Sequence, residues 1–362
     1  MGIRTANLDD GWYDFAGDWL PNRATGKFPG GGADVARFVQ RVHDAGFRTA
    51  IWWYPLGVSP DSRLLRERSA LLVMDENGRP TKDVDGLHQL CPGHEPARQE
   101  IRAVLKRMIV DWGFDGVYLD FQGLSAVPPC FNPAHNHATP LAGFESLPKV
   151  FEEIHADLHA YKPDPFLEAC ICALPHSPYN MPFYPIANAS DPRSDAQARR
   201  RVKAEKAIRG PSFAVGDAYQ VPADEWKGTS LREGFETAMG VGAALSTFYA
   251  DLDGRQLVLW NRWFKAYRDQ RPGSGEYLNL YDIAFDAPEA HVVRRGSDLY
   301  YGFFAERWTA SQRLDLRGLD PELRYQVEDY GRGMSLGEVT GANAFLNVDF
   351  QGSLLLRVRP LN

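Results

Sequence analysis

Asp115-Gly116-Val117-Tyr118-Leu119-Asp120-Phe121 is the stretch that decides the fold. Val117 and Leu119 are apolar, Tyr118 is aromatic, Gly116 opens the run and an acid closes it. The pattern predicts a short buried strand ending in a carboxylate. Ahead of it, Ile101, Leu105, Met108 and Ile109 recur at helical spacing between Glu95 and Asp111. A helix, a Trp112-Gly113-Phe114-Asp115 turn and a strand with an acid at its C-terminal tip make one unit of an α/β barrel. In such barrels the C-terminal strand ends converge on the active site. Asp120 is therefore a candidate catalytic group. The competing reading is a strand-end Asp that caps the next loop through its own backbone.

Working outward, strands are predicted at 3–8, 47–53, 86–91, 115–121, 165–172, 182–189, 212–215 and 243–248, with amphipathic helices between them. Eight strand-helix units predict a (β/α)8 TIM barrel over residues 1–271. Pro272-Gly273-Ser274-Gly275 reads as a linker. Beyond it, short strand-like runs at 297–304, 325–330 and 353–358 are separated by turn signals. They predict a small C-terminal antiparallel β-sandwich over 276–362.

The chain has 362 residues, a net charge of −7 and 44% hydrophobic residues, enough to bury a large core. Mild acidity argues against nucleic acid and anionic membranes as partners. No apolar run reaches membrane-spanning length and no leader is visible. The basic run Arg199-Arg200-Arg201-Val202-Lys203 reads as a solvated helix face. Four cysteines, Cys91, Cys130, Cys170 and Cys172, are few and irregularly spaced, so no disulfide framework is indicated and a cytoplasmic setting is expected. His135-Asn136-His137 lies in a long loop after Asp120. A His-x-His pair can bind metal, but no further ligand set appears at useful spacing. Polar loop contacts are the expected role, with no metal and no cofactor.

Two further strand tips carry acids. Asp9-Asp10-Gly11-Trp12 follows the first strand, and Asp191 follows the sixth. Ser194 or Asp195 can cap the next helix, which leaves Asp191 available for chemistry. Carboxylates accept hydrogen bonds from sugar hydroxyls, and an indole offers a flat apolar face to a pyranose. Two carboxylates on separate strand tips, Asp120 and Asp191, suit glycoside hydrolysis, one attacking the anomeric carbon and the other protonating the leaving oxygen.

Asp9-Asp10-Gly11-Trp12, Trp52 followed by Val58-Ser59-Pro60-Asp61-Ser62, Tyr118-Leu119-Asp120, Glu168-Ala169-Cys170 and Ser190-Asp191 with Ser194-Asp195-Ala196 occur in that order. As an ordered set they resemble the motif series of the melibiase-type α-galactosidases of glycoside hydrolase family 36. The resemblance implies a retaining exo-α-glycosidase with a small-molecule carbohydrate substrate. It implies Asp120 as nucleophile, Asp191 as acid/base, and Asp9 and Asp10 as ligands of the sugar hydroxyls. It further implies Trp52 lining the pocket beside Trp12, and Cys170 near the sugar's edge. Tyr118 stands where the family usually has Lys, and Ile171 to His176 replaces a glycine-rich segment, so His176 offers a new polar contact. These departures keep open another α-linked sugar, such as N-acetylgalactosamine, or a non-catalytic carbohydrate-binding barrel. The sequence is compatible with a homo-oligomer. The family's large N-terminal β domain has no counterpart in these residues.

Overall fold

The computed structural model describes residues 3–170, 176–189, 192–216, 231–245 and 253–361. The chain divides into two compact units, Ile3–Ile186 and Ala187–Asn362, the latter grouped with Met1–Gly2. The architecture is α/β, with parallel and antiparallel sheets. Among the described residues no helix is long and apolar enough to cross a membrane.

In the first unit, strands Thr5–Leu8, Arg48–Trp53, Gly116–Leu119 and Phe166–Ala169 lie side by side and parallel. Helices Gly32–Asp44, Glu95–Lys106 and Leu147–Tyr161 alternate with them along the chain. The helix Glu95–Lys106 buries Ala97, Ile101, Val104 and Leu105, and its continuation Arg107–Asp111 loosens to π-helical spacing. Gly116 has a steric reason: a Cβ there would sit 1.9 Å from the Phe166 carbonyl oxygen. The expected strand at 86–91 is corrected. Only His88–Gln89 is extended, paired antiparallel with Gly57–Val58 outside the parallel sheet. A turn anchored by Asp83, which accepts from the Asp85 and Leu87 N–H groups, bounds it on one side, and Pro92 follows on the other. Asp120 therefore follows the third strand of the parallel sheet in this unit.

In the second unit, Ser194 caps helix Asp195–Arg209 by accepting from the Gln197 N–H at 3.2 Å, as expected. Helix Gly254–Gln270 starts on a reciprocal cap between Asp253 and Gln256. Six antiparallel strands follow in the order Met334–Thr340, Arg324–Asp329, Phe350–Pro360, Asp298–Trp308, Glu289–Arg295, Glu276–Leu278. Strand alternation divides their side chains between two cores. Tyr300 and Phe304 join Phe235, Trp260 and Trp263 of the helices. Tyr301 and Phe303 join Leu314 and Leu346 of a two-stranded ribbon. The layer opposite the main sheet is thus a ribbon with loops and, on the other face, helices; the 272–275 turn lies inside this unit. An eight-stranded ring is not seen among the described residues. The expected eighth strand, 243–248, runs outside them after 245, and 243–245 is not extended into a strand.

The basic run is a second correction. Arg199 is buried, making a two-point ion pair with Glu289 at 2.8 Å and lying over the Phe304 ring. Lys203 donates to the Tyr281 carbonyl oxygen at 2.7 Å.

Candidate active site

Register places the site side chains in rows. Trp52, Tyr118 and Glu168 are partners across three adjacent parallel strands, so they leave the sheet on the same face. Two residues further on, Tyr54, Asp120 and Cys170 follow on that face. The ladder continues to the tips: the Asp120 N–H donates to the Trp53 carbonyl at 3.1 Å, and the Cys170 N–H to the Leu119 carbonyl at 2.7 Å. The acid and the thiol are therefore neighbours.

Asp120 is half-buried. One carboxylate oxygen accepts the Trp52 indole N–H at 2.8 Å, and the other accepts the Phe121 backbone N–H at 2.7 Å. Phe121 has φ 86 and ψ 149, a region that non-glycine residues rarely occupy, costing on the order of 1–3 kcal/mol. Its ring stacks on Tyr54 at 5.0 Å and meets Trp52 edge-on at 5.4 Å. Backbone strain sits immediately after the candidate nucleophile, held by aromatic packing.

The Tyr54 hydroxyl donates to Asp83 at 3.0 Å and accepts from Gln89 at 2.9 Å. Burial and Asp83 push its pKa well above the phenol range. Burial also raises the Asp85 carboxyl, and the charges of Asp83 and Asp120 lie close enough to raise it further. Sequence reasoning missed Asp83 and Asp85. An Asp-x-Asp-Gly run reads as a turn, and Asp83 does serve as one.

The remaining candidates divide. Asp9 and Asp10 are exposed, each accepting from the next residue's N–H, at 2.9 and 2.7 Å. Trp12 is 1% exposed, its indole N–H donates to the Trp52 carbonyl at 2.8 Å, and its ring meets Trp112 edge-on. The expectation that Trp12 faces a sugar is corrected: it is core. Trp52 is 2% exposed, so it orients Asp120 rather than walling an open pocket. The missed residue is Tyr13, half-buried and parallel to Trp52 at 5.9 Å. Burial and the adjacent Asp10 raise its phenol. Tyr118 is half-buried, and Cys170 and Glu168 are buried. Glu168 was visible in the sequence only as a flank of Cys170. His176 is buried with Nδ1 2.6 Å from the Tyr184 hydroxyl. Asp191 lies outside the described residues.

Four residues downstream of it, Asp195 is lifted to about 6 by burial, which Arg199 opposes and Glu233 and Glu236 reinforce. The expectation that His135 and His137 have no further donors near them is also corrected, because Cys91 and Cys130 converge on both.

No family model matches the chain. A curated relative, an A type blood α-D-galactosamine galactosaminidase of Flavonifractor plautii, is 31% identical over 98% of this chain and 33% of its own length. An α-galactosidase of Geobacillus stearothermophilus from glycoside hydrolase family 36, solved with raffinose, superposes with a TM-score of 0.80 at 21% identity over 99% of this chain and 51% of that one. The α-galactosidase of Lactobacillus brevis gives 0.81 at 19% identity, over 100% of this chain and 51% of that one. The chain spans about a third of the curated relative and about half of the solved chains. Its fold is that of the family 36 α-galactosidases, as the ordered motifs implied.

Proposed function

We propose, starting from the family 36 α-galactosidase fold that this chain shares, that it hydrolyses terminal α-galacto-configured glycosides with retention. The parallel strands are read as part of a (β/α)8 barrel whose tips form the site. The observation that carries the reading is Asp120. It follows a strand tip on the Trp52–Tyr118–Glu168 face and is oriented by two donors, Trp52 Nε1 and the Phe121 N–H.

In the first step an Asp120 oxygen bonds to the anomeric carbon. The bond to the leaving oxygen breaks, and that oxygen takes the proton of Asp191. In the second step Asp191 removes a proton from water, whose oxygen bonds to the anomeric carbon and releases Asp120. Trp52 and Phe121 keep the attacking oxygen aimed without reorganisation. Asp9 and Asp10, exposed beside Tyr13, are suited to accept from sugar hydroxyls.

The test is hydrolysis of aryl α-galactoside followed by NMR. Retention predicts the α-anomer as first product. A first product of β configuration, or no turnover with sugar binding intact, would reject the reading in favour of an inverting enzyme or a binding protein.

A second reading concerns the glycone. Asp85 lies within the field of Asp120, and Tyr118 replaces the cation that the resemblance leads one to expect. Such a site favours a sugar bearing a protonated amine, and the curated relative's name is that of a galactosaminidase. Aryl α-galactosaminide, α-N-acetylgalactosaminide and α-galactoside assayed side by side rank the three. Asp85→Asn is expected to lower kcat/KM for the amino sugar more than for the others. An equal effect on all three would remove the electrostatic argument.

A further inference from the structure

Among the described residues, one cluster of metal-ligating side chains lies apart from the strand-tip acids, and the chemistry proposed above makes no use of it. We infer that Cys91, Cys130, His135 and His137 bind one divalent metal ion tetrahedrally, with zinc the best match. Their donor atoms all lie within 4.8 Å of one another. Cys91 Sγ is 3.2 Å from His137 Nε2, and Cys130 Sγ is 3.4 Å from His135 Nδ1. Zinc–sulfur bonds of about 2.3 Å and zinc–nitrogen bonds of about 2.0–2.1 Å imply donor separations of about 3.4–3.8 Å around a tetrahedron. The four atoms need only small side-chain shifts to meet that. A soft S2N2 donor set in this arrangement selects zinc over magnesium or calcium.

The surroundings are built for ligation. His135 Nε2 lies 2.7 Å from the Ala70 carbonyl oxygen, which can only accept, so the proton resides on Nε2 and Nδ1 presents its lone pair toward Cys130. A Cβ at Gly93 would come within 2.8 Å of His137 Cε1, so the ring lies flush on the Cys91-Pro92-Gly93 turn. Cys91, Cys130 and His135 are buried. Four protein donors leave no open position, which makes the site structural rather than catalytic.

Its place in the fold gives it a task. Cys91 precedes helix Glu95–Lys106, and the other three ligands lie in the stretch between Leu124 and Ala142, which contains no helix or strand. That stretch follows the Asp120 tip after the single helical turn Gln122–Leu124. An ion would tie it to the body of the unit where secondary structure does not. On binding, the two thiols release their protons to solvent, and the charges of the cation and the two thiolates cancel.

The test uses the full chain, purified without a polyhistidine tag or chelator. Elemental analysis is expected to find about one zinc per chain, released to a chromogenic chelator on denaturation. Replacing the metal with cobalt(II) is expected to give thiolate-to-cobalt charge transfer and the intense visible bands of a tetrahedral site. Cys91→Ser with Cys130→Ser is expected to abolish both, and His137→Asn to shift the visible bands while sparing most of the charge transfer. The count on wild-type chain needs no variant to fold. Less than about a tenth of an equivalent of metal, with no cobalt bands, would overturn the proposal. So would a Cys91–Cys130 disulfide found by peptide mapping of the native chain. Neither readout depends on glycosidase activity.

Discussion

Two charged regions of the molecule are arranged on opposite rules. At the Asp120 tip, like charges gather: burial raises the Asp85 carboxyl, and the charges of Asp83 and Asp120 raise it further. In the second unit, unlike charges are paired. Arg199 grips Glu289 at two points and reaches Thr237, while His291 sits 2.9 Å from Glu289 and 2.8 Å from the Tyr277 hydroxyl. Burial pushes the Glu289 carboxyl up, yet Arg199 and His291 outweigh it and hold it at about 2. The paired network serves the fold. Gathered carboxylates beside a strained backbone work against stability, which is the arrangement expected where a ligand or a proton completes the balance.

The largest effect expected is on chemistry. Asp120→Asn should lower kcat/KM on an aryl α-galactoside by at least about 10³-fold. Relief of like-charge repulsion should leave its melting temperature equal to or above wild type. A variant that melts lower and retains turnover would reverse the contrast between the regions.

The next effect is on the paired network. Arg199→Met leaves the half-buried Glu289 without its main partner and should cost about 3–5 kcal/mol in urea unfolding. A loss under about 1 kcal/mol would show that the pair contributes little.

A smaller change probes orientation. Trp52→Phe removes the donor to Asp120 while keeping an aromatic ring in the packing. Loss of one hydrogen bond to a charged acceptor, about 1.5–3 kcal/mol, predicts a fall in kcat of about 10–100-fold with little change in KM. Equal losses in kcat and fold stability would make Trp52 a packing residue only.

The smallest effect is pH-dependent. Burial lifts the Asp195 carboxyl to about 6 when folded, above its ordinary value of 3.8. A raised folded pKa means that stability is full below about pH 4 and falls as pH rises toward 6. Asp195→Asn should therefore raise the melting temperature at pH 8 and leave it unchanged at pH 4. A difference that persists at pH 4 would point to packing instead.

The sequence made some of this readable and not the rest, for physical reasons. Periodicity located the Asp120 strand, the helices and three of the strands beyond residue 276, those at 298–308, 324–329 and 350–360, because each buries one face against its own core. Capping chemistry located Ser194. The two-residue ladder at His88–Gln89 was unreadable as such, since an alternating run looks alike in a parallel sheet and in a short antiparallel excursion. Trp12 misled because an indole after two strand-tip acids looks the same whether it faces a sugar or packs edge-on against Trp112 in the core. Arg199 looked solvated because its partner Glu289 lies far along the chain. The same separation hid Cys91 and Cys130 from His135 and His137: only tertiary packing brings them within reach.

The most direct test of the central claim is to trap the covalent intermediate. A fluorinated α-galactosyl donor that glycosylates the enzyme but turns over slowly should add one sugar mass per chain. Peptide mapping should place it on the Asp115–Phe121 stretch, at Asp120. A label on any other carboxylate, or inactivation without a label, would contradict the assignment of Asp120 as the nucleophile.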